Sequence, residues 1–275
     1  MQILDGKKAR IERVEILKKR LKDCDKAFVV IMVGDNQDSE IFVRMKQKFG
    51  RSLGVTVSVM KVEKEIPQNE LLAIISELNH DDEVGGILVQ LPLPEHLDKQ
   101  KVLDSILLQK DVDALSSLAR EVFHETKGEQ AIPATPRGIM SLLSFYDVEL
   151  NQKNVVVIGK SDLVGKPTAF LLEQAGAQVT SCDKTTQGIP SITQQADVLV
   201  VAAGAPGLVT SEYITPKKKT IIIDVGITKD NQQKIHGDVD FDSVKDIVAA
   251  LSPVPGGVGP MTIVSLFENF ADAIE

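Results

Sequence analysis

The chain has no tryptophan and only two tyrosines, two cysteines and four histidines in 275 residues. Cys24 and Cys182 form no C-x-x-C or other ligand spacing, which excludes a disulfide framework and a thiolate metal site; they read as reduced thiols. His80, His96, His124 and His236 are scattered along the sequence, so no metal is expected. Long apolar runs are absent too, and none approaches the ~20 residues of a membrane span. Basic charge is in deficit: 39 acidic against 31 basic residues leave a formal charge of −8, which argues against general nucleic-acid binding. The first twenty residues are a charged amphipathic segment without a signal-peptide apolar region. A cytoplasmic protein that binds neither membrane nor nucleic acid is expected.

Apolar residues are plentiful. At 43% they suffice for two cores, and the length agrees with two domains. The first half alternates helix and strand. Ile11, Val14, Leu17 and Leu21 line one face of a helix from Gly6. Phe28 to Val33, Val55 to Val62 and Gly86 to Gln90 read as strands. Between them lie a helix to about Leu53, capped by Asp38 or Ser39, and a helix from Pro67 to Asn79. A further helix from Asp98 to Leu108 precedes Lys110-Asp111-Val112-Asp113. Residues 115 to 134 lose periodicity and read as a connection, after which Thr135-Pro136 opens another helix. The second half places strands at Val155–Ile158, Ala177–Cys182, Val198–Ala202, Thr220–Val225 and near Ile247–Ala250. Strands and helices at this spacing predict α/β architecture with a doubly wound parallel sheet. The rigid Pro253–Pro260 segment and a final helix from about Met261 close the chain.

The stretch Asn154–Pro167 is the centre of the second half. A β-branched strand runs into Gly159, a polar turn, Gly165 and then Pro167 at the start of a helix. Free backbone N–H groups and the helix dipole there suit an anion. The triphosphate loop is excluded because five residues, not four, separate the glycines and Pro167 follows Lys166. The G-x-G-x-x-G fingerprint fails because Ser161 replaces its second glycine. Taken alone, the stretch fits a ligand-free βα turn equally well.

Four segments resemble the methylenetetrahydrofolate dehydrogenase/cyclohydrolase family: Val33-Gly34-Asp35-Asn36 with Ser39 and Lys46, Val89–Pro94, Lys110–Asp113, and Pro253–Thr262. Pro133-x-Thr135-Pro136-x-Gly138, Asp224–Ile227 and Gly237–Phe241 look like its remaining signatures, and the match runs through the chain in order. The resemblance implies two α/β domains with a cleft between them. Residues 1–134 plus 260–275 would form the folate-binding catalytic domain. Residues 135–259 would form the Rossmann-like, dinucleotide-binding one. It implies a homodimer that oxidises 5,10-methylenetetrahydrofolate to 5,10-methenyltetrahydrofolate and hydrolyses the product to 10-formyltetrahydrofolate.

Residue by residue, the resemblance makes Lys46, Gln90 and Asp113 catalytic. A lysine in an apolar setting has a lowered pKa, so its amine could accept a proton from water, whereas a helical lysine is by default a solvated cation. Gln90 would hydrogen-bond both lysine and substrate, and Asp113 would accept N–H donors from the pterin edge. Ser39, Phe42, Leu91, Pro255, Gly256 and Gly257 would contact the folate. Gly159, Lys160, Ser161, Gly165, Asp183, Lys184 and Ile227 would hold the dinucleotide.

Several positions depart from the family pattern. Phe42 replaces a tyrosine, Lys160 an arginine, Asp183-Lys184 a His-Ser pair, and Ala114 a glycine. Lys160 and Lys184 favour the 2′-phosphate of NADP. Asp183 opposes it unless it turns outward or pairs with Lys184, so NADP is expected over NAD. Two other readings use the same architecture: a dehydrogenase of another small molecule, of shikimate or amino-acid type, and a non-catalytic folate- or nucleotide-binding relative.

Overall fold

The structure, a computed structural model, describes residues 1–230, 232 and 234–275, with Asp38 described by its backbone alone. Its strands in chain order are β1 Gln2–Ile3, β2 Ala27–Val33, β3 Val57–Val62, β4 Val84–Val89, β5 Asn154–Ile158, β6 Gln178–Cys182, β7 Val198–Val201, β8 Ile221–Asp224, β9 Thr228–Lys229, β10 Ile235–His236 and β11 Ala250–Leu251. The chain divides into two compact bodies. One comprises Glu12–Ala134 with Ile263–Glu275, and the other Met1–Ile11 with Thr135–Thr262.

The first body is built on a three-stranded parallel sheet in the order β3-β2-β4. The inner strand β2 and β4 are apolar because both faces are covered, β2 being buried from Phe28 onward and β4 throughout, whereas the edge strand β3 exposes Ser58 and Lys61. Phe28 lies 5.3 Å from Phe267 and 5.5 Å from Phe270, ring centre to ring centre. Gly86 in β4 admits that packing, since a Cβ there would lie 2.5 Å from Val112 and 2.8 Å from Phe270.

The helices of this body depart from the expected pattern in several places; on the first, Ile11 is 63% exposed and does not share the buried face of Leu17 and Leu21. Helix α1, Gly6–Arg20, begins in the other body. Helix α2, Gln37–Leu53, is capped by Asn36, whose side chain accepts from Ser39 N at 2.9 Å. The expected cap at Asp38 or Ser39 is thereby corrected; both lie within the first turn. Helix α3 spans Gln68–His80, and α4 is shortened to Lys99–Asp104. The stretch expected to be an irregular connection contains helix α5, Ser117–Glu125, capped by Ser116 and anchored by buried Ala119 and Phe123. Two buried residues four apart leave too thin a stripe to read as periodicity.

The second body carries a six-stranded parallel sheet in the order β1-β11-β8-β7-β5-β6, with a small antiparallel β9–β10 ribbon beside it. Helix α6, Ala134–Phe145, and helix α7, Gly165–Gln174, contribute Ile139, Leu142, Leu172 and others to its core. The expected assignment of residues 1–134 to one domain is corrected here for residues 1–11, and that of 260–275 for residues 260–262. Gln2 and Ile3 pair with Ala250 and Leu251, and Leu4 and Ala9 are buried in the core with Val155 and Ile223. A two-residue strand has no period of its own, so only its distant partner defines it.

Candidate active site

Helix α2 buries Ser39, Val43, Lys46, Phe49 and Leu53 along one stripe. Lys46 is therefore a cation in the core-facing row of an amphipathic helix, only 8% exposed. Its Nζ donates to Gln90 Oε1 at 2.7 Å. Gln90 follows directly on β4, and its Nε2 donates to Leu91 O at 2.8 Å. The second bond fixes the amide so that its oxygen faces the lysine. Burial lowers the Lys46 pKa to about 8, against the charge of Asp113, which raises it.

Asp113 belongs to a tight turn organised by its neighbour. Asp111 accepts from Ala114 N at 2.9 Å and Ser116 N at 3.0 Å, while Lys110 donates to the Leu78 and Asp81 carbonyls at the C-terminal end of α3. Both residues are thus used structurally. Asp113 receives no hydrogen bond among the described residues; burial raises its pKa to about 6, Lys46 pulls it down and Asp111 pushes it up. A buried carboxylate with no hydrogen-bond partner among the described residues is able to accept an external N–H donor. Ala114, where the resemblance expects glycine, holds φ +55°.

Of the expected folate contacts in this body, Ser39 is buried, Leu91 is half-buried, and Phe42 is 36% exposed beside exposed Ile41 and Met45. Pro255, Gly256 and Gly257 belong to the second body. There Gly6 N donates to Gly256 O at 2.9 Å, and a Cβ on Gly6 would come within 1.8 Å of Gly257 O. The loop is thus pinned by the first residues of α1, a role for Gly6 that its own sequence context does not reveal.

The strand–turn–helix at β5 and α7 has a backbone cradle. A Cβ on Gly159 would meet Ala202 O at 2.2 Å, and one on Gly165 would meet Gly159 O at 1.9 Å, so only glycine permits these approaches. The expectation of free N–H groups needs correction, because Ser161 Oγ accepts from Val164 N and Gly165 N, both at 3.3 Å. These long bonds are ones a stronger acceptor could replace. Lys166 pairs with Asp162.

Asp183 neither turns outward nor pairs with Lys184. Its Oδ1 accepts from Thr185 N at 3.0 Å, Thr185 Oγ1 at 2.6 Å and Thr186 Oγ1 at 3.3 Å. Lys160 Nζ lies 3.6 Å from its Oδ2. The threonine bonds, with Lys160, lower its pKa to about 2. Lys184 is exposed and has no ion-pair partner among the described residues. Ile227 is exposed just beyond β8.

Sequence models of a known family match both halves: "Tetrahydrofolate dehydrogenase/cyclohydrolase, catalytic domain" over residues 4–113, and the NAD(P)-binding domain of the same name over residues 133–275. The bifunctional protein FolD of Campylobacter jejuni is 42% identical over 274 residues, covering 98% of this chain and 96% of that protein. The crystal structure of the FolD methylenetetrahydrofolate dehydrogenase/cyclohydrolase from Campylobacter jejuni superimposes with a TM-score of 0.94 at 41% identity, covering 99% and 98% of the two chains. That of the Trypanosoma brucei enzyme, complexed with NADP cofactor and an inhibitor, gives 0.89 at 33% identity, covering 98% and 96%. With cradle, buried lysine and matches in agreement, this chain belongs to the tetrahydrofolate dehydrogenase/cyclohydrolase family.

Proposed function

We propose that the protein is a bifunctional one-carbon enzyme. It oxidises 5,10-methylenetetrahydrofolate to 5,10-methenyltetrahydrofolate with NADP and hydrolyses the methenyl compound to 10-formyltetrahydrofolate. The observation that carries the hydrolytic half is the buried Lys46–Gln90 bond next to Asp113. Gln90 Oε1 can only accept, so it keeps one N–H of Lys46 in either protonation state. A neutral amine then has its lone pair free for a water proton. With a pKa of about 8, roughly a tenth of Lys46 is neutral at pH 7. The methenyl substrate is itself a cation, so its arrival disfavours the ammonium and enlarges that fraction. Water oxygen then bonds to the bridging carbon while Lys46 takes one of its protons; the carbon–N5 bond breaks as the carbinol oxygen gives up its remaining proton and N5 gains one, leaving the formyl group on N10. Asp113 accepts from the pterin edge.

The dinucleotide, when bound, supplies the hydride acceptor. Gly159 and Gly165 permit the close backbone turn that would receive it, Ser161, Lys160 and Lys184 offer polar and cationic groups to its phosphates, Asp183 faces its ribose, and Ile227 offers an apolar contact. We infer further that the enzyme works in the cytoplasm as a homodimer. Two free cysteines and the absence, among the described residues, of a helix long and apolar enough to cross a membrane support the compartment; the family resemblance supports the dimer. The test is an absorbance assay of methylenetetrahydrofolate oxidation with NADP and with NAD, following appearance and decay of the methenyl compound. Appearance without enzyme-accelerated decay removes the hydrolytic half. No turnover with either dinucleotide removes the oxidative half.

A further inference from the structure

Two buried aspartates in the second body are used by none of these steps. Asp224 ends β8, and Asp238 lies in the Gly237–Asp240 segment; they are 4% and 0% exposed. Between them they accept five backbone N–H groups. Asp224 Oδ1 takes Gly226 N at 3.1 Å and Asp238 N at 2.9 Å, and its Oδ2 takes Val239 N at 3.0 Å. Asp238 Oδ2 takes Ala203 N at 2.7 Å and Gly204 N at 2.9 Å. Asp238 Oδ1 is buried without a hydrogen-bond partner among the described residues and lies against Gly226, where a Cβ would lie 2.3 Å away. Burial, with the charge of Asp238 adding to it, raises the Asp224 pKa to about 6. Two desolvated carboxylates side by side are costly, and here the cost is offset by the backbone N–H groups they bind, which they in turn hold in place.

What they hold is the carboxyl edge of the sheet. Asp224 is in register with Val201, and the following Ala202 touches Gly159. In an open parallel sheet a dinucleotide lies across this edge. Asp183 at the end of β6 marks the adenosine side, so the ends of β7 and β8 mark the nicotinamide side. Ser252 Oγ accepts from Asp224 N at 2.8 Å, which joins the end of β11, ahead of Pro255–Gly257, to the same cluster.

We propose that Asp238 and Asp224 are positioning residues for the oxidative half-reaction, fixing the Ala203–Gly204 and Gly226–Ile227 backbones as one bed for the nicotinamide end of the cofactor. The inference rests on the function proposed above. It assigns these side chains no contact with the cofactor, only with the backbones that meet it.

The experiment uses the full-length protein, NADPH as fluorescent probe, and cofactor-free hydrolysis of 5,10-methenyltetrahydrofolate as a control that depends on Lys46 instead. Asp238→Ala should raise the Kd for NADPH and the KM for NADP by about tenfold or more, change the oxidative kcat by less than about threefold, and leave hydrolysis within about twofold. Asp238→Asn keeps an oxygen for Ala203 N and Gly204 N and should restore most of the affinity. Gly226→Ala, whose methyl collides with the Asp238 carboxyl group, should reproduce the alanine result. An unchanged Kd in Asp238→Ala overturns the proposal, as does asparagine as harmful as alanine. Loss of both activities together in Asp238→Ala and Gly226→Ala also overturns it, by showing that the pair holds the fold. A parent protein that neither binds NADPH nor hydrolyses the methenyl compound overturns the function itself.

Discussion

Lys46 on α2 and Gln90 at the end of β4 are 44 residues apart in sequence and are joined by a 2.7 Å hydrogen bond. That bond ties the one buried lysine of the α2 stripe to an amide whose orientation is already fixed. Lys46→Met should therefore lower methenyl hydrolysis by about 10²–10⁴-fold, the usual worth of a general base, while sparing part of the oxidation. Stopped-flow decay of methenyl absorbance measures it. Full hydrolysis in the variant removes Lys46 from the mechanism.

The pH dependence follows from two opposed shifts. Lys46 acts as a base only when neutral, so hydrolysis should rise with pH up to about 8 and then level. Asp113, with a pKa of about 6, must be charged to accept from the pterin, so substrate affinity should fall below about pH 6. The Asp113 charge favours the Lys46 ammonium, so Asp113→Asn should move the Lys46 titration to lower pH. Competitive acylation of Lys46 as a function of pH, read by mass spectrometry, checks this without needing turnover. A shift to higher pH contradicts it.

Phe42 is one helical turn before Lys46 and keeps the aromatic face without a hydroxyl. Gln90 occupies only one Lys46 N–H, so Phe42→Tyr can supply an acceptor for another. Hydrolytic kcat should rise about 2–10-fold, the worth of one hydrogen bond, with little change in KM. An equal or lower kcat would mean that this site has reorganised around phenylalanine.

The 3.6 Å Lys160–Asp183 pair should govern cofactor choice. Asp183, at a pKa of about 2, stays charged at all working pH and both repels a 2′-phosphate and occupies Lys160. Asp183→Ser should raise the NADP-over-NAD ratio of kcat/KM by about tenfold. In the parent, NADP should be preferred modestly, and the preference should shrink with added salt because Lys160 and Lys184 are exposed. Steady-state kinetics at two ionic strengths decide it. An unchanged ratio in Asp183→Ser excludes the aspartate from the choice.

Much of the scaffold is written locally. The β-branched runs at Phe28–Val33 and Val155–Ile158 could be little else than buried strands, and the Lys46 stripe is visible once Val43 and Leu53 are placed on the same face. Lys46, Gln90 and Asp113 could be grouped as a candidate site only through the family motifs, because three residues from three segments meet only after folding. Ser161 capping its own helix, Asp183 meeting Lys160 and Asp238 reaching Ala203 were not legible. Each is a contact between short polar segments without period, decided by turn geometry. Ala114 shows the same limit: its methyl predicts nothing, yet its backbone takes the left-handed conformation that glycine would adopt without strain.

The pairing of β1 with β11 also bears on the order of biosynthesis. Gln2 and Ile3 are synthesised 248 residues before their partners Ala250 and Leu251. At about 5–20 residues per second the amino-terminal strand waits roughly 12–50 s for its neighbour. Through that interval Leu4 has no completed core to enter, and Gly6 has no Gly256 carbonyl to bind. The six-stranded sheet can therefore gain β1 as its edge only after Ala250 and Leu251 have been made.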